Sequence, residues 1–334
     1  MPLVDLNDAV ELAEYTDFVR SSEYGRLTQD PMWSKVKANW QPHFVYLRDR
    51  NGKICAAMSI LTIPAIDGKQ FGYCCRGPVG DITDFTLLRE LFSEAHKLLA
   101  AKDVFLLRAD PEVLYRAELN DALQNHGFTM RNRGIDPHST SQPRVNMRIS
   151  MEGMNAQQLL DFFQAKTRYN IRLAARKGVQ VRWSQELADV DQFFETYRIM
   201  SERHGITHRP LSYFHGLAKA LGDHLRVYLA SYEDEILSAA ICVNYGDVTW
   251  YMYGGSTNSH RNKMPNYLMQ WEMIQWAIEQ RSKYYDFGGV YVLNDEDGLF
   301  RFKRGFVGAE NISEYIGEID YVIDQEAYEK FIAR

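Results

Sequence analysis

The same order of secondary-structure signals occurs twice along this sequence, with almost no residue identity between the copies. In the first, an amphipathic segment from Ala9 to Arg20 and a shorter one around Trp33 to Trp40 precede a change to β periodicity. His43–Asp49 reads as a strand, Asp49-Arg-Asn-Gly52 as a hairpin turn, and Lys53–Pro64 and Gln70–Cys75 as the next strands of a meander. Gly77-Pro78 breaks the chain, and Asp84 to Leu99 carries apolar residues at helical spacing. A mostly apolar strand follows from Asp103 to Asp110. Pro111 then opens a helix toward Gly127, and a strand near Phe128–Asn132 closes the half.

The second copy begins with amphipathic helices over Asp189–His204 and Leu211–Leu221. Strands over Leu225–Ser231, Ile236–Tyr245 and Val248–Gly254 follow, with Glu233-Asp-Glu in the first turn. Gly254-Gly255 is expected to break the chain. A long helix over Pro265–Arg281 sets Leu268, Trp271, Ile274 and Ile278 on one face, and Tyr284–Gly289 is the apolar strand after it. A short helix over Phe300–Arg304 and a strand over Ile312–Asp320 complete the copy. A polar connector, Gly134 to Pro143, separates the halves. It leads into a strand over Arg144–Met151, a helix over Asn155–Lys177 and a strand over Val179–Trp183.

With 334 residues, each half is long enough to bury its own core. The expected fold is α+β: two tandem domains of the GNAT-like acyltransferase type, 1–150 and 151–320, with 321–334 packing back on the first. The long helix of a coenzyme A-binding GNAT domain is preceded by a glycine-rich pyrophosphate loop. Here that place holds Ser259-His-Arg-Asn-Lys-Met-Pro265, so coenzyme A is disfavoured as the acyl donor.

Several classes are disfavoured by what the chain lacks. No stretch approaches the roughly 18 apolar residues of a membrane span, and Met-Pro-Leu-Val-Asp-Leu-Asn-Asp is no secretory leader, so a cytoplasmic location is expected. The 4 cysteines show neither metal-ligand spacing nor a disulfide framework, and the 9 histidines are scattered, so no metal site and no cofactor are expected. A net charge of −6 argues against nucleic-acid binding over the whole surface and leaves a local basic patch open.

Four segments could carry chemistry. Lys166, Arg168, Arg172, Arg176 and Lys177 lie within about three helical turns, and the three arginines share one face. They form either a phosphate-contacting surface or a solvated face. Arg209, fixed before Pro210 and followed by Tyr213, offers a fork donor and an aromatic surface, or is simply an inter-helix loop. Lys303 beside Phe302 could stabilise an oxyanion or snorkel from a packed helix. Asp110 suits an N-cap for the helix opened by Pro111 or a general base, of which the cap is favoured.

The segments Thr28–Trp40, Lys166–Gly178, Glu202–Pro210, Trp250–Ser256 and Glu314–Asp320 together resemble the FemABX family of non-ribosomal peptidyltransferases. The resemblance covers essentially the whole chain. It lies nearest the short members that transfer alanine to UDP-MurNAc-pentapeptide, because this sequence has no heptad insertion for a coiled-coil arm. It implies an aminoacyltransferase with aminoacyl-tRNA as donor and UDP-MurNAc-pentapeptide as acceptor. The amino acid would be alanine, or alternatively serine, and the enzyme a monomer. It further implies that residues matching Lys37, Trp40, Arg209, Tyr213 and Tyr253 hold the UDP-muramyl group and that Lys303, beside Phe302, acts at the aminoacyl ester. Asp110 matches a carboxylate considered as a base. The competing readings are a coenzyme A-dependent N-acyltransferase and a non-catalytic module that binds tRNA or precursor.

Overall fold

The computed structural model describes residues 3–333. The chain divides into two units, Met1–Arg144 with Glu314–Arg334, and Val145–Ser313.

In the first unit, α1 (Ala9–Ser21) and α2 (Pro31–Val36) precede an antiparallel meander of β1 (Gln41–Arg48), β2 (Ile54–Ile66) and β3 (Lys69–Cys74). The helix expected around Trp33–Trp40 thus starts earlier, where Pro31 takes the first helical position behind the Asp30 cap. Helix α3 (Phe85–Ala100) crosses to β4 (Val104–Ala109), parallel to β3; the Asp84 carboxylate accepts from Leu87 N and fixes its start. Its Leu88, Leu91, Phe92, Ala95 and Leu99 pack with Met58, Ile60 and Leu107 as the core. Then come α4 (Ala117–Asn125) and β5 (Thr129–Arg131). Pro111 opens no helix: α4 begins at Ala117, and an isolated bridge joins Leu114 to Tyr315.

The second unit contains β6 (Val145–Ser150), α5 (Ala156–Phe162), α6 (Ala165–Arg176), β7 (Gln180–Ser184), α7 (Leu187–His204) and α8 (Leu211–Leu221). The meander of β8 (Leu225–Tyr232), β9 (Glu235–Tyr245) and β10 (Val248–Ser256) follows. Helix α9 (Pro265–Glu279) crosses to β11 (Tyr284–Val290), parallel to β10, ahead of α10 (Gly298–Val307) and β12 (Ile312–Glu314). The chain returns to the first unit as β13 (Glu318–Val322) and α11 (Gln325–Ile332).

The strand orders are β1-β2-β3-β4-β13-β5 and β12-β6-β11-β10-β9-β8-β7. Both contain a meander, a helical crossover and a parallel neighbour. Each then adds an antiparallel strand from outside that run: β13 beside β4, and β6 beside β11.

Three further features differ from the sequence reading. The helix expected over Asn155–Lys177 is broken at Phe163, whose backbone is extended (ψ 151°) so that its ring reaches Phe306 and Trp271 at 5.1 and 6.0 Å. Gln164 N then donates to Gly305 O at 2.9 Å. The strand expected over Ile312–Asp320 splits into β12 and β13. Between them, Tyr315 N and Ile316 N donate to Arg144 O and Val113 O at 2.8 and 2.7 Å. Finally, β10 runs through Gly254-Gly255 without a break. A Cβ on Gly255 would stand 2.7 Å from Tyr197 Cα and 2.8 Å from Thr196 O, so the missing side chain lets α7 lie against the strand. Gly255→Ala is therefore expected to destabilise the protein by about 1–3 kcal/mol through overpacking, read as a lowered urea midpoint.

Candidate active site

Lys303 is placed by helix α10. The Asp297 carboxylate caps the helix by accepting from Phe300 N at 2.7 Å, and buried Phe300, Phe306 and Val307 turn one face into the core. Phe306 packs against Phe163 and Phe287, and Gly305 leaves room for Thr167, whose Oγ1 a Cβ would meet at 2.4 Å. Lys303 is 5% exposed, and its ammonium donates to Gly289 O at 2.9 Å. It does not snorkel to solvent. Burial pulls its pKa down to about 8 against the opposing charges of Asp286 and Asp297. At neutral pH it is mostly a cation, in a site where water screens it little. Phe302, half-buried beside it in sequence, packs edge-on to Tyr267 at 5.1 Å.

Asp286 was missed by sequence reasoning, although a carboxylate inside the apolar run Tyr284-Tyr-Asp-Phe-Gly-Gly is the signal that could have found it. It is buried, with Gly288 N donating to Oδ1 at 2.6 Å and Asn146 Nδ2 to Oδ2 at 3.1 Å.

Arg209, Tyr213 and Tyr253 come together in the same unit. Gly205 ends α7 in the left-handed conformation, and Pro210 starts α8 after a short loop. The Arg209 guanidinium lies 5.3 Å from the Tyr213 ring centre, and the Tyr213 and Tyr253 hydroxyls are 3.0 Å apart. Phe214 stands edge-on behind Tyr253. Arg209 is exposed and the tyrosines are half-buried, so a guanidinium and two hydroxyls share one patch.

In the first unit, Lys37 ends α2, with its ammonium 5.5 Å from the Trp33 ring centre. Trp40 follows in the turn, edge-on to Phe71. Asp110 is no helix cap, because no helix starts at Pro111. Its carboxylate instead accepts from Tyr73 OH at 2.8 Å and Arg76 N at 2.6 Å, with the Arg76 guanidinium 3.9 Å away. Glu112 joins Arg76 to Arg26. Burial raises the Asp110 pKa to about 6 against these partners, leaving it mostly ionised at neutral pH. Tyr73, Arg76 and Glu112 escaped the sequence reading because nothing local marks them as partners.

The basic face of α6 divides in two. Arg168 donates to the carbonyls of Asp161 and Phe163, closing the end of α5, and Lys177 Nζ donates to Asn262 O at 3.1 Å. Lys166, Arg172 and Arg176 are exposed. The loop before α9 is a 3₁₀ turn, Arg261–Lys263, whose Lys263 ammonium stacks 3.2 Å from the Tyr232 ring centre. Among the described residues, no helix is long and apolar enough to cross a membrane, and no group of His, Cys, Asp and Glu could hold a metal ion.

Meander, crossover helix and parallel neighbour, present in each unit, define a tandem GNAT-like protein, and the described residues contain no coiled-coil arm. A solved tandem GNAT protein from the clavulanic acid pathway shares the fold at a TM-score of 0.54 and 10% identity, over 96% of this chain and 97% of that one. The crystal structure of FemX superposes at a TM-score of 0.87 and 23% identity, over 99% of both chains. The sequence profile of the FemAB family matches residues 10–234 and 231–332, and this chain belongs to that family. It is 43% identical, over 99% of each sequence, to the UDP-N-acetylmuramoylpentapeptide-lysine N(6)-alanyltransferase of Weissella viridescens. It is 26% identical to the lipid II:glycine glycyltransferase of Staphylococcus aureus, over 95% of this chain and 92% of that protein.

Proposed function

We propose that this chain moves alanine, or alternatively serine, from the ester at the 3′ end of an aminoacyl-tRNA to the lysine ε-amine of UDP-MurNAc-pentapeptide. The product carries the first residue of a peptidoglycan side branch, and the reaction takes place in the cytoplasm. The observation that carries this reading is the 43% identity, over 99% of both sequences, to a protein named for alanyl transfer to that lysine.

The amine nitrogen attacks the ester carbonyl carbon, the ribose oxygen leaves, and an ester becomes an amide. The cation of Lys303, desolvated and fixed on Gly289 O, faces the negative charge that develops on the carbonyl oxygen. The attacking amine, with an ordinary pKa of about 10.4, gives up one proton to solvent before it attacks, and the departing ribose oxygen takes the second as the amide forms. Asp110, with both oxygens engaged, is assigned a positioning role toward Arg76 rather than that of the base. Holding both substrates in register supplies much of the remaining acceleration. Lys37, Trp40, Arg209, Tyr213 and Tyr253 are assigned to the precursor, and the exposed Lys166, Arg172 and Arg176 to tRNA phosphates.

The test is transfer of radiolabelled alanine, serine or glycine from charged tRNA to UDP-MurNAc-pentapeptide, with acetyl-coenzyme A as an alternative donor. A mass gain of one alanyl or seryl residue is expected; no gain from any charged tRNA would sink the reading. Arg209→Ala is expected to weaken precursor binding about tenfold, the low end for loss of a charge-assisted hydrogen bond. Titration calorimetry with UDP-MurNAc-pentapeptide measures that loss.

A further inference from the structure

Strands β10 and β11 pair in parallel for only three residues, Val248↔Tyr284, Thr249↔Tyr285 and Trp250↔Asp286. Both then become irregular. Strand β10 shifts register against β9 between Tyr251 and Tyr253, and β11 shifts against β6 between Asp286 and Gly289. Gly288 stands where the two strands part, at φ +74°, with its N–H on the Asp286 carboxylate. Side chains rarely adopt that backbone conformation.

The place a Cβ would occupy on Gly288 is open. Its three nearest heavy atoms, the chain neighbours of Gly288 aside, are Trp250 Nε1 at 3.6 Å, Lys303 Nζ at 3.9 Å and Tyr251 O at 3.9 Å. All three are polar: two donors and one acceptor face one vacant, methyl-sized point. Among the described residues the Trp250 indole N–H makes no hydrogen bond, and the ring is half-buried. An indole nitrogen can only donate.

We infer that the indole N–H of Trp250 is a second oxyanion donor beside Lys303, and that the gap at Gly288 receives the carbonyl of an α-amino acid ester. This rests on the acyl-transfer reading above. The ester oxygen lies between Trp250 Nε1 and Lys303 Nζ, and the α-amino group lies toward the Tyr251 carbonyl. As the acceptor amine forms its C–N bond, the carbonyl π pair moves onto the oxygen that both donors face. Collapse returns that pair, breaks the bond to the ribose oxygen and leaves the amine's proton on it. An ordinary peptide carbonyl would find the same donors, but only an amino acid ester offers both the amine and a leaving oxygen. The neutral indole adds a dipole that pH does not change, whereas the lysine titrates.

Trp250→Phe keeps the ring and removes the donor. It is expected to lower kcat about 100-fold, the scale of losing one oxyanion donor, with KM for UDP-MurNAc-pentapeptide and the thermal midpoint unchanged. Gly288→Ala, whose methyl would occupy the gap, is expected to cut kcat at least as deeply. In Trp250→Phe the dependence of the rate on pH keeps the form set by Lys303, a readout that a purely structural change would not preserve. A kcat within threefold of the parent in Trp250→Phe, while Lys303→Ala is slowed about 10²-fold or more, overturns this inference alone. Parental rates in both variants overturn the acyl-transfer role of Lys303 as well.

Discussion

Lys303→Ala is expected to lower single-turnover aminoacyl transfer about 10²- to 10³-fold, with KM for UDP-MurNAc-pentapeptide unchanged. The ammonium is buried and held 2.9 Å from Gly289 O, so no water replaces its charge when the side chain is removed. Its pKa of about 8 adds a pH signature. The free fraction of the attacking amine rises tenfold per pH unit up to about 10.4. Alone, that would make the rate climb steadily with alkalinity. The lysine loses its charge above about pH 8, so the two effects cancel there, and the logarithm of the rate should rise with unit slope to pH 8 and then level off. Lys303→Arg, which stays charged, is expected to carry the rise beyond pH 8. A break at the same pH in Lys303→Arg would show that another group sets it. Rates must be corrected for spontaneous ester hydrolysis.

Asp320→Ala is expected to cost about 3–5 kcal/mol of stability, because it leaves a buried guanidinium with only the 3.4 Å contact to Glu318 to offset its charge. Arg108 donates through Nε and Nη2 to both Asp320 oxygens at 2.7 Å, and Tyr328 OH donates to Oδ2 at 3.2 Å. Glu318 lies 3.4 Å from Arg108 and 3.0 Å from Arg131. Burial holds the Asp320 carboxyl above its ordinary range despite the arginine, so the pair sits in a costly place. Removing both charges should therefore do less harm than removing one. The double variant Arg108→Met, Asp320→Leu is expected to recover most of the loss in urea denaturation. A double variant as unstable as the single one would refute the stranded-charge explanation.

Much of the fold was legible because it rests on local periodicity. The two meanders, the helices after Asp84 and Pro265, and the apolar strands β4 and β11 could each be read from their own residues. Misreadings arose where tertiary contacts overrule a local signal. Phe163 interrupts a continuous helical pattern to reach Phe306, and Pro111 looks like a helix start but lies on an extended segment. Gly254-Gly255 looks like a breaker but admits a helix backbone. The candidate site follows the same division. Lys303, Arg209 and Tyr213 stand in short, distinctive segments. Asp286, Trp250 and the Arg108–Asp320 pair gain their meaning only from partners up to 212 residues away.

The return of the C-terminal strand to the first unit also governs how the chain can be made. Strand β13, which covers the edge of β4 and neutralises Arg108, is translated after the whole of the second unit. On the ribosome the N-terminal sheet must therefore wait, its edge open and its arginine unpaired, while the later unit already possesses every strand it needs. The half of the protein that is synthesised first is the half that is finished last.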